Sequence, residues 1–269
     1  MKTAIVLSTH QAKFEAVSFK GDLEQNLGSI GDLGFNGVEL AVRDPALVDA
    51  AELAELCGSR GLAVPAIGTG QAWGDDGLSF TDPEAGVRRQ AVERVRSHIA
   101  LAAKLDALVI IGLVRGTVQE GMDKGRAYGL MAEGFKACAE EAEKKRGRIA
   151  FEPLNRYETK LINSSEDGLE LIENIGSENI GLLLDTFHMN IEEPSIIESI
   201  KRVGSRIYHF HVADSNRHYP GAGHLDFPAI FKVLFDTGYD GFVSGEFLPV
   251  PGPVESAKKM MEFVKGLGL

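Results

Sequence analysis

Short hydrophobic runs alternate with longer amphipathic segments along the whole chain. Most of the short runs are continuously apolar, which is typical of parallel strands covered on both faces. The longer segments show helical spacing; in residues 84–105, for example, Val87, Ala91 and Val95 share one face and arginines lie opposite. The pattern predicts eight strands, at residues 3–8, 37–42, 63–69, 107–114, 148–154, 180–186, 207–214 and 240–248.

Eight β–α units in 269 residues favour a closed α/β architecture. A (β/α)8 TIM barrel accounts for this number of units, and barrels of this length are routinely one domain. A doubly wound open sheet is the alternative. Because no linker, low-complexity segment or change in composition divides the chain, we predict a single barrel domain over residues 1–269.

The charge and the termini limit the partners of the protein. A net charge of −11 disfavours binding to nucleic acid or anionic membrane, since both require clustered Lys and Arg. The N-terminus lacks the long apolar segment of a signal peptide, and no stretch approaches the ~18 apolar residues of a membrane span. Cys57 and Cys138 lie far apart in helical segments, as expected for reduced thiols. We therefore expect a cytoplasmic protein that binds neither nucleic acid nor membrane.

Ionisable side chains end four successive predicted strands. Glu152 ends strand five, Asp185 ends strand six, His211 lies on strand seven and Glu246 ends strand eight. The C-terminal strand ends form the active site of a TIM barrel. Any one of these residues could instead cap a helix or bond within a loop, but burying three carboxylates together without a cation is strongly unfavourable. The set suits Mn²⁺, Mg²⁺, Co²⁺ or Zn²⁺ and lacks the thiolates of a structural zinc site.

Longer motifs around these residues resemble a known family. The segments FEPLNRYET, LLLDTFHMNIEEP, HFHVADSNRHYPGAGHLDF and GEF are similar to the ketose 3-epimerases of the xylose-isomerase-like barrel superfamily, which act on D-tagatose, D-allulose (psicose) or L-ribulose. The stretches KGDL, AVRDP, IGTGQA and VIIGLVRG resemble a shorter bacterial branch of 5-keto-L-gluconate or L-ketose 3-epimerases. The resemblance covers essentially the whole chain.

The resemblance implies one metal ion and one reaction. It implies that Glu152, Asp185, His211 and Glu246 bind a divalent ion, usually Mn²⁺, and that Glu152 and Glu246 are the acid/base pair. The implied reaction epimerises C3 of a 2-keto sugar or keto sugar acid, such as L-ribulose, D-tagatose, D-allulose, D-fructose or 5-keto-L-gluconate. A proton leaves the carbon beside the carbonyl, a cis-enediolate forms, and a proton returns to the opposite face. Two carboxylates are needed because the two faces are reached from opposite sides.

The resemblance also implies residues that hold the substrate. Glu158, His188 and Arg217 match these positions, and His188 is expected on the loop that follows strand six. Histidine and arginine donors suit the oxygens on which charge develops. Ala213 and Asp214 replace the Gly-Glu pair of longer members, close to the loop that carries Arg217.

Other residues near the strand ends could line the same rim. His10 follows strand one, and Arg115 follows strand four, where it could hold a carboxylate at the far end of the substrate. Trp73, the single tryptophan, could cover the apolar face of a sugar or simply pack in its loop. His209 is expected deeper on the same barrel face as His211, hydrogen-bonded within the core.

Three other functions remain open on this fold. An aldose–ketose or hydroxypyruvate isomerase uses similar carboxylates, but a hydride shift requires a second metal, for which only Asp214 is available. An apurinic endonuclease would need more histidine ligands and a basic groove, which the net charge disfavours. A sugar-binding barrel without catalysis would need no opposed glutamates. The sequence is also compatible with a homo-oligomer.

Overall fold

Eight parallel strands close into a barrel. In this computed structural model, which describes residues 1–268, each strand pairs with the next in chain order, and the first pairs with the last. The strands are β1 (Lys2–Ser8), β2 (Glu39–Ala41), β3 (Ala66–Gly68), β4 (Leu108–Ile111), β5 (Ile149–Phe151), β6 (Ile180–Asp185), β7 (Ile207–Val212) and β8 (Phe242–Gly245).

Ten α-helices among the described residues surround the barrel or cover its ends. They are α1 (Leu23–Asp32), α2 (Ala50–Ser59), α3 (Gly70–Gly74), α4 (Ala85–Leu105), α5 (Lys124–Lys145), α6 (Ser165–Ile175), α7 (Thr186–Glu192), α8 (Ile196–Val203), α9 (Phe227–Asp236) and α10 (Pro253–Gly266). Short 3-10 helices occupy Pro45–Leu47, Leu113–Arg115 and Gly204–Arg206. None of the helices within residues 1–268 is long and apolar enough to cross a membrane.

The predicted barrel is confirmed, but several strands are shorter than their apolar runs. Strand four ends at Ile111, because the chain then turns into the 3-10 helix Leu113–Arg115. Strand five ends at Phe151, so Glu152 lies one residue beyond it. A continuous apolar run therefore marks burial on both faces, while the pairing ends where the chain turns away toward the helix layer.

The interior of the barrel contains both apolar and polar side chains. The main hydrophobic core lies between the strands and the outer helices. A second, small cluster inside the barrel contains Ala66, Leu108, Ile110, Ala150 and Leu183, which come from β3 to β6. Buried polar residues from the other strands occupy the remaining interior: Ser8, Glu39, His209, His211 and Ser244. Of these buried polar residues, Glu39 and His211 contribute to the site described below.

Two glycines of α5 differ in how much space surrounds them. A Cβ at Gly134 would lie 2.7 Å from Cγ of the buried Phe80, whereas a Cβ at Gly129 would meet no heavy atom within 4 Å. Alanine stabilises a helix over glycine by about 0.5–1 kcal/mol. We therefore expect Gly129→Ala to stabilise the protein by about this amount. Overpacking should make Gly134→Ala destabilising by about 1–3 kcal/mol.

Urea unfolding followed by circular dichroism measures both variants. Gly129→Ala is the matched control, because it makes the same change on the exposed face of the same helix. Equal stabilisation by the two substitutions would contradict the close contact between α5 and Phe80.

Candidate active site and metal centre

A cavity of about 290 Å³ opens where the strands end. Its floor includes Glu152, His188, His211 and Glu246, which follow or belong to strands β5 to β8. Much of the remaining wall is apolar and comes from β1 to β4 and the segments that follow them. These residues are Val6, Phe14, Val17, Ala41, Trp73, Ile110 and Leu113.

The four expected metal ligands come together at this cavity, and three of them, Glu152, His211 and Glu246, line it. Glu152, Asp185, His211 and Glu246 each offer one ligand atom, and these atoms all lie within 4.8 Å of one another. His211 Nδ1 is 3.8 Å from Glu152 Oε1, 3.9 Å from Asp185 Oδ2 and 3.6 Å from Glu246 Oε2. Three of these atoms, Glu152 Oε1, Asp185 Oδ2 and His211 Nδ1, are buried and have no hydrogen-bond partner among the described residues. Buried polar atoms are rarely left unpaired, so the cluster has the form of a cation site.

The charges of the cluster fit the same interpretation. Burial, and then repulsion from Glu246, raises the pKa of Glu152 well above its ordinary value. Burial also raises the pKa of Asp185 to about 6. Both shifts express the cost of placing like charges together away from water. A divalent cation relieves this repulsion, and three oxygens with one imidazole nitrogen are ligands such ions accept.

Asp185 has two roles, one on each carboxylate oxygen. Its Oδ1 accepts a hydrogen bond of 2.7 Å from the backbone N–H of Phe187 and so caps α7, while Oδ2 faces the cluster. The expectation that His188 lies on a loop is wrong, because α7 begins at Thr186 directly after β6. Helix capping and metal binding are therefore compatible at this position.

Glu39 is a site residue that the sequence analysis missed. Its Oε2 lies 2.8 Å from His209 Nε2 and 2.9 Å from His211 Nε2, across the barrel interior. Burial opposes ionisation of Glu39, but the two histidines outweigh it and lower the pKa of Glu39. Likewise, burial disfavours a charged His211, but Glu39 and then Glu246 hold the pKa of His211 well above its ordinary value. His209 is hydrogen-bonded in the core, as predicted.

The contact with Glu39 orients the His211 ring. With Nε2 turned toward Glu39, the other ring nitrogen, Nδ1, faces the three ligand carboxylates. Carboxylates commonly orient metal-binding histidines in this way. The available signal was a single acid in the middle of the apolar run GVELAV.

Asn155 fixes which nitrogen of the His188 ring carries the proton. The backbone N–H of Asn155 lies 3.3 Å from His188 Nδ1 and the Asn155 side-chain amide lies 2.8 Å from it. Because a backbone N–H can only donate, Nδ1 must be the acceptor, and the neutral ring then carries its proton on Nε2. Burial, and then the charge of Arg217, lowers the pKa of His188 well below its ordinary value, which favours this neutral form. His188 Nε2 is buried 3.9 Å from Glu152 Oε1 and has no hydrogen-bond partner within residues 1–268.

Arg217 and Glu158 form a pair at the cavity wall. Arg217 Nη1 donates to Glu158 Oε1 at 2.8 Å, and the guanidinium carbon lies 5.1 Å from the ring centre of Phe14 and 4.7 Å from that of Phe187. Arg217 Nε and Nη2 are buried and have no partner among the described residues. Both residues line the cavity, so two donors remain available beside it.

Asp214 organises the loop that carries Arg217. Its Oδ1 accepts from the backbone N–H groups of Ser215 and Leu225, and its Oδ2 accepts from that of Gly221. These bonds occupy both carboxylate oxygens, and Asp214 belongs to no candidate metal cluster within residues 1–268. The residue that could have contributed to a second metal site is thus committed to loop structure.

The remaining rim residues have different positions. Trp73 lines the cavity and is 37% exposed, so it is available to a ligand. His10 does not line the cavity; its Nδ1 lies 3.0 Å from Thr9 Oγ1. The expectation for Arg115 is corrected. The 3-10 helix after β4 places it out of contact with the cavity and fully buried, with Nη1 donating to the backbone carbonyl of Glu152 and its charge over the ring of Phe151.

The Glu39–His211 contact predicts how metal binding responds to mutation. Glu39→Gln keeps the size of the side chain but removes the charge that orients and polarises His211. We expect the affinity for Mn²⁺ to fall about 10- to 100-fold. Calorimetric titration of metal-free protein measures it, with Glu55→Gln on the exposed face of α2 as the matched control. Equal affinities in the two variants would rule out this role for Glu39.

The chain has extensive similarity to characterised enzymes. A family model described as xylose isomerase-like TIM barrel matches residues 29–267. An L-ribulose 3-epimerase of Mesorhizobium japonicum is 33% identical over 243 residues, covering 89% of this chain and 80% of the relative. A D-psicose 3-epimerase of Agrobacterium fabrum is 30% identical over 246 residues, covering 88% and 83%.

The solved structures agree with these relatives. The structure of an L-ribulose 3-epimerase superimposes with a TM-score of 0.82 at 27% identity, covering 99% of this chain and 94% of the other. The similarity thus extends over both the barrel and the segments that carry the four clustered ligands. The chain belongs to the xylose isomerase-like TIM barrel family, among the ketose 3-epimerases.

Proposed function

We propose that the protein epimerises C3 of a 2-keto sugar or keto sugar acid with the help of one divalent metal ion. The observation that carries the proposal is the pair Glu152 and Glu246. Their ligand oxygens lie within 4.8 Å of each other in one cavity, on segments that follow strands three places apart in the barrel. Relatives that are L-ribulose and D-psicose 3-epimerases support C3 as the reacting carbon.

Epimerisation requires a proton-transfer group for each face of C3. One carboxylate removes the proton next to the carbonyl, and the other, in its acid form, delivers a proton to the opposite face. Because β5 and β8 are separated by two intervening strands, Glu152 and Glu246 reach the cavity from different sides. The two residues exchange roles when the reaction runs in reverse. A wholly apolar or single-carboxylate floor could bind a sugar but could not invert C3 in this way.

Removal of the C3 proton places negative charge on the substrate oxygens. The Nε2–H of His188 and the unpaired Nε and Nη2 groups of Arg217 are donors suited to this charge. Glu158 keeps Arg217 in place, and the ring of Trp73 offers an apolar surface to the sugar. A cation held by the four-residue cluster, for which we propose Mn²⁺ with Mg²⁺, Co²⁺ and Zn²⁺ as alternatives, would supply Lewis-acid stabilisation of the same charge.

A substrate panel tests the function. We expect the protein with Mn²⁺ to convert at least one of L-ribulose, D-tagatose, D-fructose and 5-keto-L-gluconate into its C3 epimer and to introduce deuterium at C3 in D₂O. Chromatography and NMR identify the products. An aldose as the main product, or turnover of hydroxypyruvate alone, would assign an isomerase. Sugar binding without deuterium exchange would indicate a sugar-binding protein that does not catalyse epimerisation.

In the same assay, Glu152→Gln and Glu246→Gln should each lower kcat by about 10²–10⁴-fold. Metal content, measured in parallel, separates loss of proton transfer from loss of the ion. Glu133→Gln, on the exposed face of α5, is the matched control and should retain full activity. Full activity of either cavity variant would exclude that glutamate from the acid/base pair.

Metal removal provides a second test that does not depend on turnover. A cation that binds only the folded state stabilises it by about 2.7 kcal/mol at 100 times its dissociation constant. We therefore expect Mn²⁺ to raise the melting temperature of EDTA-treated protein and Asp185→Asn to reduce this increase. Calorimetric melting at several Mn²⁺ concentrations measures it. A melting temperature independent of Mn²⁺ would contradict the metal site.

A further inference from the structure

Gln71 lines the cavity but has no part in the chemistry proposed above. It lies in α3, directly after β3, and is only 5% exposed. Its side-chain oxygen, Oε1, is buried and accepts no hydrogen bond from any described residue. A buried amide oxygen without a donor is unfavourable, so this atom calls for a partner that the chain itself does not provide.

The orientation of the Gln71 amide follows from its neighbours. Gln71 Nε2 lies 2.8 Å from Ser8 Oγ, and Ser8 Oγ lies 2.5 Å from the backbone carbonyl of His10. A hydroxyl has a single proton, and a carbonyl oxygen can only accept. Ser8 therefore donates to His10 and must accept from Gln71, which leaves the amino group of Gln71 facing Ser8 and its oxygen free.

The position of Gln71 indicates which part of a substrate it would meet. In a ring of eight strands, β3 lies four places from β7, so Gln71 is across the barrel mouth from His211 of the metal cluster. The strands beside β3 contribute apolar residues, Ala41 and Ile110, to the cavity wall. An uncharged hydrogen-bond acceptor on this side suits a hydroxyl group rather than a carboxylate, which has no proton to donate when ionised.

We propose that Gln71 accepts a hydrogen bond from the C5 or C6 hydroxyl of the keto sugar and thereby selects substrates that carry this group. This proposal rests on the proposed function, because C3 must lie between Glu152 and Glu246 for the distal carbons to face β3. A site that pairs a buried acceptor with a substrate hydroxyl discriminates strongly against the deoxy analogue, which leaves the acceptor unpaired.

A cycle of one substitution and two deoxy sugars tests the contact. Gln71→Met keeps the length of the side chain and removes the acceptor. The rates compared are kcat/KM for D-fructose, 5-deoxy-D-fructose and 6-deoxy-D-fructose, in wild type and variant. In wild type, we expect kcat/KM for one of the two deoxy sugars to be roughly tenfold to a hundredfold lower than for D-fructose. Gln71→Met should lower kcat/KM for D-fructose by a similar factor. The same substitution should change kcat/KM for that deoxy sugar very little.

The loss should fall mainly on KM, because the contact is remote from C3 and is made equally in the ground and transition states. Gln90→Met, the same change on the exposed face of α4, is the matched control and should leave all three rates unchanged. A melting temperature close to that of wild type shows that Gln71→Met is folded.

Two results would overturn the proposal. For each deoxy sugar, kcat/KM is compared with that for D-fructose. If this ratio is the same in wild type and in Gln71→Met for both deoxy sugars, then Gln71 does not contact the substrate, and an ordered water is the partner of Oε1. If wild type has the same kcat/KM for both deoxy sugars as for D-fructose, no such contact exists. Failure of the proposed function is distinguishable, because wild type would then form no C3 epimer from any sugar of the panel. The same cycle on calorimetric dissociation constants would then decide the role of Gln71.

Discussion

The hydrogen bond between Glu39 and His211 is the contact on which the arrangement of the site depends. It crosses the barrel interior, because the two residues come from β2 and β7, and it joins atoms that are almost completely buried. An imidazole ring has two nitrogens, and fixing one of them fixes the direction of the other. With Nε2 committed to Glu39, Nδ1 faces Glu152, Asp185 and Glu246. The ligand set therefore relies on a residue that offers no ligand atom to it.

The acids of the cluster are held in place by the barrel itself. Three carboxylates close together repel one another, and a small apolar core could not hold them there. In the barrel, each acid lies at the end of a different strand, and pairing with both neighbouring strands fixes the backbone there. An apolar cluster from β3 to β6 fills another part of the interior, and β6 contributes Leu183 to this cluster and Asp185 to the acidic one.

The polar groups at the cavity wall are oriented by the same kind of arrangement. Asn155 occupies one nitrogen of His188, Glu158 occupies one edge of Arg217, and Ser8 occupies the amino group of Gln71. In each pair the partner within the protein satisfies one polar group and leaves another one free. Donors that are fixed in this way, such as those of His188 and Arg217, can stabilise charge without having to reorient. Hydrogen bonds within the protein therefore determine which polar groups face the cavity.

The sequence by itself determined the barrel and the clustering of four ionisable residues at its rim. Hydrophobic periodicity is a local property, and the C-terminal ends of parallel strands must meet at one rim, so Glu152, Asp185, His211 and Glu246 were predicted without knowledge of any contact. Only the tertiary structure decided the contacts of Glu39 and Gln71 and the burial of Arg115. Glu39 meets His211 172 positions away, and Gln71 meets Ser8 63 positions away. A side chain whose function is set by a partner so distant in the chain has no local pattern, because closure of the barrel creates the contact.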